Sequence, residues 1–179
     1  MTELLAARVL AVPDHPQPGI VFRDVTPLLA DAGAFRAAID GLAAAVRAAG
    51  WSPQYLLCPE ARGFLFGAPL ALALGAGFVP VRKPGKLPRA TARADYALEY
   101  GTDALELHRD AFVAGSRVLL VDDVLATGGT LAAVHALAGQ LGAEVLGALC
   151  LIELPALGGR ARLAPLPVQA LLRCGPAPD

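Results

Sequence analysis

The chain has 179 residues, enough to bury the core of one domain. Its net charge of −1 gives no basic footprint for nucleic acid, and its hydrophobic residues, 55% of the chain, are too often interrupted by Gly and Pro for a membrane span. The N-terminus lacks the basic start of a signal peptide, and the three cysteines lack metal-ligand spacing. We therefore expect a cytoplasmic protein with free thiols and without membrane or nucleic-acid partners.

The N-terminal segment predicts two helices joined by an irregular connection. A helix capped by Thr2 is expected over Thr2 to Val12, and the four prolines of Pro13 to Pro27 predict irregular structure. Apolar residues at helical spacing then predict an amphipathic helix over Ala34 to Ala48, which Gly50 ends.

Two strands followed by polar turns come next. Tyr55 to Cys58 predicts a buried strand, and Phe64 to Leu74 predicts a helix. Arg62 lies at the corner between them, where its guanidinium and the backbone N–H groups suit a diphosphate. Gly77 to Val81 predicts the second strand. The cationic loop after it holds the only two lysines of the chain, Lys83 and Lys86, and suits an anion such as pyrophosphate; the alternative is a solvated loop.

The remaining elements alternate between strands and helices. Tyr96 to Tyr100 and Leu105 to His108 predict a pair of strands across Gly101 to Ala104. The further elements are a strand at Val118 to Val121, a helix at Leu131 to Leu141, a strand at Glu144 to Ile152 and a last strand within Leu163 to Leu172. This alternation predicts an α/β fold with a doubly wound parallel sheet.

The most informative motif follows the strand at Val118. Asp122 and Asp123 stand at its carboxyl end, where open α/β sheets bind ligands, and a turn of Thr and Gly comes directly after them. The glycines let backbone N–H groups turn inward, so that the turn and the helix N-terminus can hold a phosphate. The acidic pair would repel that phosphate and is better placed for ribose hydroxyls, or for a metal ion held through water. The motif therefore predicts a ribose 5-phosphate site, with an ordinary glycine turn as the alternative.

Residues Val121 to Thr130 resemble the phosphoribosyl-pyrophosphate signature of the type I phosphoribosyltransferases; neither a Walker A loop nor a G-x-G-x-x-G fingerprint is present. Further blocks resemble the adenine branch of that family, in the same order over nearly the whole chain. These blocks are Pro18 to Pro27, Glu60 to Gly67, Val81 to Pro88 and Leu98 to Gly101.

The resemblance implies one domain over 1–179, with a small N-terminal hood and helix over the base site (1–33), a type I phosphoribosyltransferase α/β core (34–179) and a mobile loop near 83–104. It implies transfer of the 5-phosphoribosyl group from phosphoribosyl pyrophosphate to adenine N9, which gives AMP and pyrophosphate in purine salvage. It also implies a homodimer and Mg²⁺ carried by the donor, with no direct protein ligand but a contact through water to Asp122.

Residue roles follow from the same resemblance. The main chain of Val21 and the ring of Phe22 would hold adenine, with Arg23 beside them, although an ion pair with Asp24 is the alternative for Arg23. Pyrophosphate would bind Arg62, Lys83 and Lys86 after a turn in which Glu60 and Ala61 often form a cis peptide. Asp122 and Asp123 would take the ribose hydroxyls. The 5-phosphate would bind Ala126, Thr127, Gly128, Gly129 and Thr130.

The catalytic residues implied by the resemblance are Glu99, Tyr100 and Asp123. Glu99 would act as acid or base near the purine, and the alternative for it is a strand residue facing water. Three other functions stay open at this point: transfer to hypoxanthine, guanine or xanthine, a non-catalytic regulator that senses the phosphoribosyl ligand, and a module that hydrolyses a nucleotide.

Overall fold

The computed structural model describes residues 2–97 and 102–175. In chain order the elements are α1 (Thr2–Ala6), β1 (Leu10–Val12), β2 (Phe22–Asp24), α2 (Thr26–Ala30), α3 (Ala32–Ala48), β3 (Tyr55–Pro59), α4 (Arg62–Leu74), β4 (Gly77–Val81), β5 (Thr91–Ala97), β6 (Thr102–His108), β7 (Arg117–Leu125), α5 (Gly129–Gln140), β8 (Glu144–Glu153), a 3₁₀ turn (Pro155–Leu157), α6 (Gly159–Leu163) and β9 (Val168–Arg173). None of the helices described is long and apolar enough to cross a membrane.

A parallel sheet in the order β4-β3-β7-β8-β9 forms the centre of the fold. Successive strand residues face opposite sides of the sheet: Leu56 joins the apolar cluster under α3 and α4, and Leu57 joins the cluster under α5. Because both faces are covered, the strands are nearly all apolar, as in other parallel sheets. The predicted doubly wound sheet is confirmed.

The strand that carries the acidic pair is longer than its apolar run. It was expected to end at Val121, but its pairing with β8 continues through Asp122 opposite Cys150 and as far as Leu125 opposite Glu153. The neighbouring strand supplies backbone partners that the apolar pattern of β7 alone does not reveal. Asp122 and Asp123 therefore lie on a strand rather than in a loop, which fixes the direction of each side chain.

The N-terminal prediction was wrong in two respects. The helix expected over Thr2 to Val12 ends at Ala6, because Leu10–Val12 pairs as an antiparallel strand with Phe22–Asp24. That second strand lies inside the segment expected to be irregular, and the short helix α2 follows it. The resulting two-stranded unit, together with the residues between its strands, is called the hood below.

Two further elements differ in their bounds. The expected pairing of two strands is confirmed, but both begin earlier than expected and pair from Thr91 opposite His108 to Ala97 opposite Thr102. Residues 102–104 are therefore strand rather than turn, and residues 98–101 lie outside the described residues. The last strand begins at Val168 rather than Leu163, because residues 159–163 form α6 and Leu163 packs in the core. All three cysteines lie in the described ranges and are free, as expected.

Candidate active site

The Thr-Gly turn after β7 encloses a small cavity at the N-terminus of α5. The cavity has a volume of about 60 Å³. Its lining includes all five residues predicted for the phosphate: Ala126, Thr127, Gly128, Gly129 and Thr130. The turn requires glycine, because Gly128 has a φ of 79° and a Cβ there would lie 2.8 Å from the carbonyl oxygen of Gly159. We call residues 126–130 the phosphate loop.

The two adjacent carboxylates have different surroundings. Asp122 lines the phosphate-loop cavity, although both acids were expected to face away from a phosphate, and its Oδ1 accepts the N–H of Asp123 at 2.9 Å. Burial, and then the charge of Asp123, raises the pKa of Asp122 well above its usual range.

Asp123 faces Arg62 at the start of α4. The Nε atom of Arg62 lies 2.8 Å from Oδ2 of Asp123, whose side chain is only 5% exposed. Burial raises the pKa of Asp123, and the charge of Arg62 opposes that shift. Within residues 2–97 and 102–175, Nη1 of Arg62 and Oδ2 of Asp123 are buried and find no partner with hydrogen-bond geometry. Buried polar atoms of this kind need partners, which a polar ligand can supply.

Arg62 also connects this acidic pair to the hood. Its guanidinium carbon lies 4.8 Å from the centre of the Phe22 ring, over the ring face. The cis peptide implied for Glu60 and Ala61 is present directly before it. Phe22 and Arg62 are therefore brought together, although 40 residues separate them in the sequence.

A larger cavity lies between the hood and the carboxyl ends of β7 and β8. Its volume of about 420 Å³ is within the range of small-molecule sites. The predicted residues Val21, Phe22, Arg23, Arg62 and Ala126 line it. Sequence reasoning missed Gly19, Ile20, Val124, Leu154 and Leu157, which complete its wall. Leu154 directly follows β8, so the rule that ligands bind beyond strand ends was the signal that could have found it.

The interpretation of Arg23 as an ion-pair partner of Asp24 was wrong. Arg23 Nη2 donates a 2.7 Å hydrogen bond to the carbonyl of Gly175, while the carboxylate of Asp24 accepts bonds from the N–H and hydroxyl of Thr26. The hood is thus tied to the segment after β9.

The cationic loop lies next to the Glu60 turn. Glu60 pairs with Arg82 and accepts the backbone N–H of Lys83 at 2.8 Å. Burial alone would raise the pKa of Glu60, but these hydrogen bonds lower it. The ammonium group of Lys83 pairs with Asp103 of β6 at 2.9 Å, and Lys86 is exposed. The two lysines thus lie beside the corner that carries Arg62, while Glu99 and Tyr100 lie outside the described residues.

Comparisons with known proteins identify the family of the chain. The family model of the phosphoribosyl transferase domain matches residues 28–164. An adenine phosphoribosyltransferase of Edwardsiella ictaluri (strain 93-146) is 60% identical over 161 residues, which cover 90% of this chain and 87% of that protein. The chain belongs to the adenine phosphoribosyltransferase family. It is a pentosyltransferase that makes AMP from adenine and phosphoribosyl pyrophosphate.

Solved adenine phosphoribosyltransferases have the same fold over nearly the whole chain. The enzyme from Thermoanaerobacter pseudethanolicus ATCC 33223 superimposes with a TM-score of 0.94 at 49% identity, covering 97% of this chain and 100% of that one. The Saccharomyces cerevisiae enzyme, solved with an iminoaltritol bisphosphate and adenine, superimposes with a TM-score of 0.92 at 43% identity. The match covers 96% of this chain and 98% of that one. In this adenine phosphoribosyltransferase, the phosphate loop and the larger cavity lie at the same edge of the sheet. Ala126 lines both of them.

Proposed function

We propose that the two cavities divide the substrates of the reaction between them. Adenine occupies the larger cavity under the hood, and the 5-phosphate of the donor occupies the phosphate loop. The observation that carries this division is that Ala126 lines both cavities while Asp122 lines only the smaller one. A ribose that joins a base to a 5-phosphate spans such a pair of neighbouring subsites. The adenine in the Saccharomyces cerevisiae structure supports a base site in this fold.

In this proposal the hood holds the base and Arg62 joins the two substrates. Phe22 offers its ring as a flat apolar platform, and main-chain groups near Val21 meet the polar edge of adenine. The guanidinium of Arg62 now lies over that ring. When it turns to the pyrophosphate, together with Lys83 and Lys86, it leaves the ring face to the base.

Asp123 stabilises the ribose as C1 becomes positively charged, and its carboxylate accepts a ribose hydroxyl once Arg62 has turned from it to the pyrophosphate. The donor set also fits Mg²⁺ brought by the substrate, because the side chains of Asp122 and Asp123 offer carboxylate oxygens of the kind that this ion prefers. Asp122 would meet the ion through water. Bound Mg²⁺ would neutralise charge on the departing pyrophosphate.

The remaining assignments also belong to this proposal. Residues 1–33 contain the hood and the N-terminal helix, 34–179 form the core of one domain, and Glu99 and Tyr100, which lie outside the described residues, have catalytic roles. The free cysteines support a cytoplasmic location.

A homodimer is supported by the exposed side chains of Leu65 and Leu72 on α4, the latter 86% exposed. Light scattering at working concentration should give twice the mass of the chain, and a monomer mass would contradict the proposal.

The base site is tested by Phe22→Leu. We expect the KM for adenine to rise about fivefold, because a leucine cannot stack on a purine, while the KM for the donor changes little. Phe22 also makes an edge-to-face contact with the ring of His15. Phe35→Leu serves as the control, because Phe35 makes the same kind of contact with Phe66 but does not line the larger cavity. A rise confined to the donor would place the base elsewhere.

A further inference from the structure

Glu153, the last residue of β8, is a buried acid to which the reaction assigns no role. Its side chain is 4% exposed, and a carboxylate buried to that extent is stable only when it is paired. Two arginines pair with it, Arg160 of α6 and Arg173 of β9. The hydrogen bonds from Arg160 lower the pKa of Glu153, so the pair is ionic at neutral pH.

The two arginines hold the carboxylate in different ways. Arg160 grips both oxygens, with Nε 2.8 Å from Oε1 and Nη2 2.7 Å from Oε2, and its Nη1 donates to the carbonyl of Val168 at 2.7 Å. Arg173 makes one contact of 3.1 Å, and its side chain is 65% exposed. Three hydrogen bonds therefore fix the position of Arg160. Two of them form the bidentate pairing of a planar guanidinium with a carboxylate, and the third holds the backbone of β9.

The segment between Glu153 and Arg160 touches both substrate subsites. Leu154 and Leu157 line the cavity assigned to the base. Gly159 backs the phosphate loop so closely that a Cβ on it would lie 2.3 Å from the carbonyl oxygen of Ala126 and 3.0 Å from the nitrogen of Gly128. The ends of this segment are fixed by β8 and by the grip of Arg160 on Glu153.

We propose that Arg160 is a positioning residue for both subsites. Through Glu153 it holds Leu157 against the base cavity and Gly159 against the phosphate loop, so that the distance between base and 5-phosphate is set before the ligands bind. The role rests on the proposed division of the two cavities. Arg160 itself lines neither cavity, so its effect is transmitted through the segment it anchors.

The test compares Arg160→Lys and Arg160→Gln with Arg173→Gln, which removes the single contact to the same carboxylate. Calorimetric titration with AMP, which occupies both subsites, is combined with the KM for each substrate and with kcat. Arg160→Lys keeps the positive charge beside Glu153 and so protects folding. We expect it to lower the affinity for AMP about tenfold and to raise both KM values, with little change in kcat. Arg160→Gln should have the larger effect, and Arg173→Gln should stay within about twofold of the wild type.

Three results would overturn the proposal. If Arg160→Lys bound AMP with the affinity of the wild type, the bidentate pairing of Arg160 with Glu153 would not position the two subsites. If Arg160→Gln and Arg173→Gln lost AMP affinity to the same extent, Glu153 would need only a compensating positive charge and not the geometry of Arg160. A lower kcat with unchanged KM values and AMP affinity would indicate a smaller folded fraction. Failure of the wild-type protein itself to bind AMP would instead refute the division of the cavities.

Discussion

Replacing Asp123 with asparagine is expected to lower kcat/KM for phosphoribosyl pyrophosphate about a hundredfold or more, the cost of losing one preorganised electrostatic group. The carboxylate lies beside Arg62, and its buried Oδ2 lacks a hydrogen bond among the residues that the structure describes. An asparagine keeps the shape but removes the negative charge that favours the cationic ribose. The KM for adenine should change by no more than about threefold, because no atom of Asp123 lines the base cavity.

Steady-state kinetics with each substrate varied in turn measures this difference. Asp110→Asn is the matched control, because Asp110 is also paired with an arginine, Arg89, but is 65% exposed and lies away from both cavities. It should leave both constants unchanged. A KM for adenine that rises as much as the KM for the donor in Asp123→Asn would show that the division of the site is wrong.

Replacing Gly128 with alanine is expected to raise the KM for the donor about a hundredfold, with a smaller effect on adenine. Two costs combine at this position. The backbone has a φ of 79°, which a residue with a Cβ adopts only at a cost of about 1 to 2 kcal/mol. The new Cβ would also lie 2.8 Å from the carbonyl oxygen of Gly159, so the phosphate loop or the Gly159 segment must move.

Gly50→Ala separates the two costs. Gly50 has a φ of 71°, but nothing lies within 4 Å of a Cβ placed there. Gly50→Ala should lower the midpoint of thermal unfolding by about 4 °C and leave the KM for the donor unchanged. If Gly128→Ala changed only the unfolding midpoint, as the control does, the phosphate loop would not be the donor site.

Local patterns predicted the parts of the site that lie close together in the chain. The five residues of the phosphate loop are contiguous, and their turn depends on their own backbone conformation, so the Thr and Gly residues of one short segment were enough to predict the turn. The apolar runs of β3 and β7 identified the buried strands for the same reason.

Long-range contacts explain the errors. Leu10–Val12 forms a strand only because Phe22–Asp24 pairs with it, and no local pattern in a three-residue strand reveals such a partner. Arg23 binds the carbonyl of Gly175, 152 residues further along the chain. Leu157 and Gly159 carry no distinctive chemistry, and their places at the larger cavity and beside the phosphate loop follow from the fold around Glu153.

The most direct test of the account is an assay with phosphoribosyl pyrophosphate, Mg²⁺ and each purine in turn, following the release of pyrophosphate. We expect release with adenine and none with hypoxanthine, guanine or xanthine. Release with one of the oxopurines instead of adenine would contradict the assignment of the base, and donor binding without release for any purine would favour a regulator.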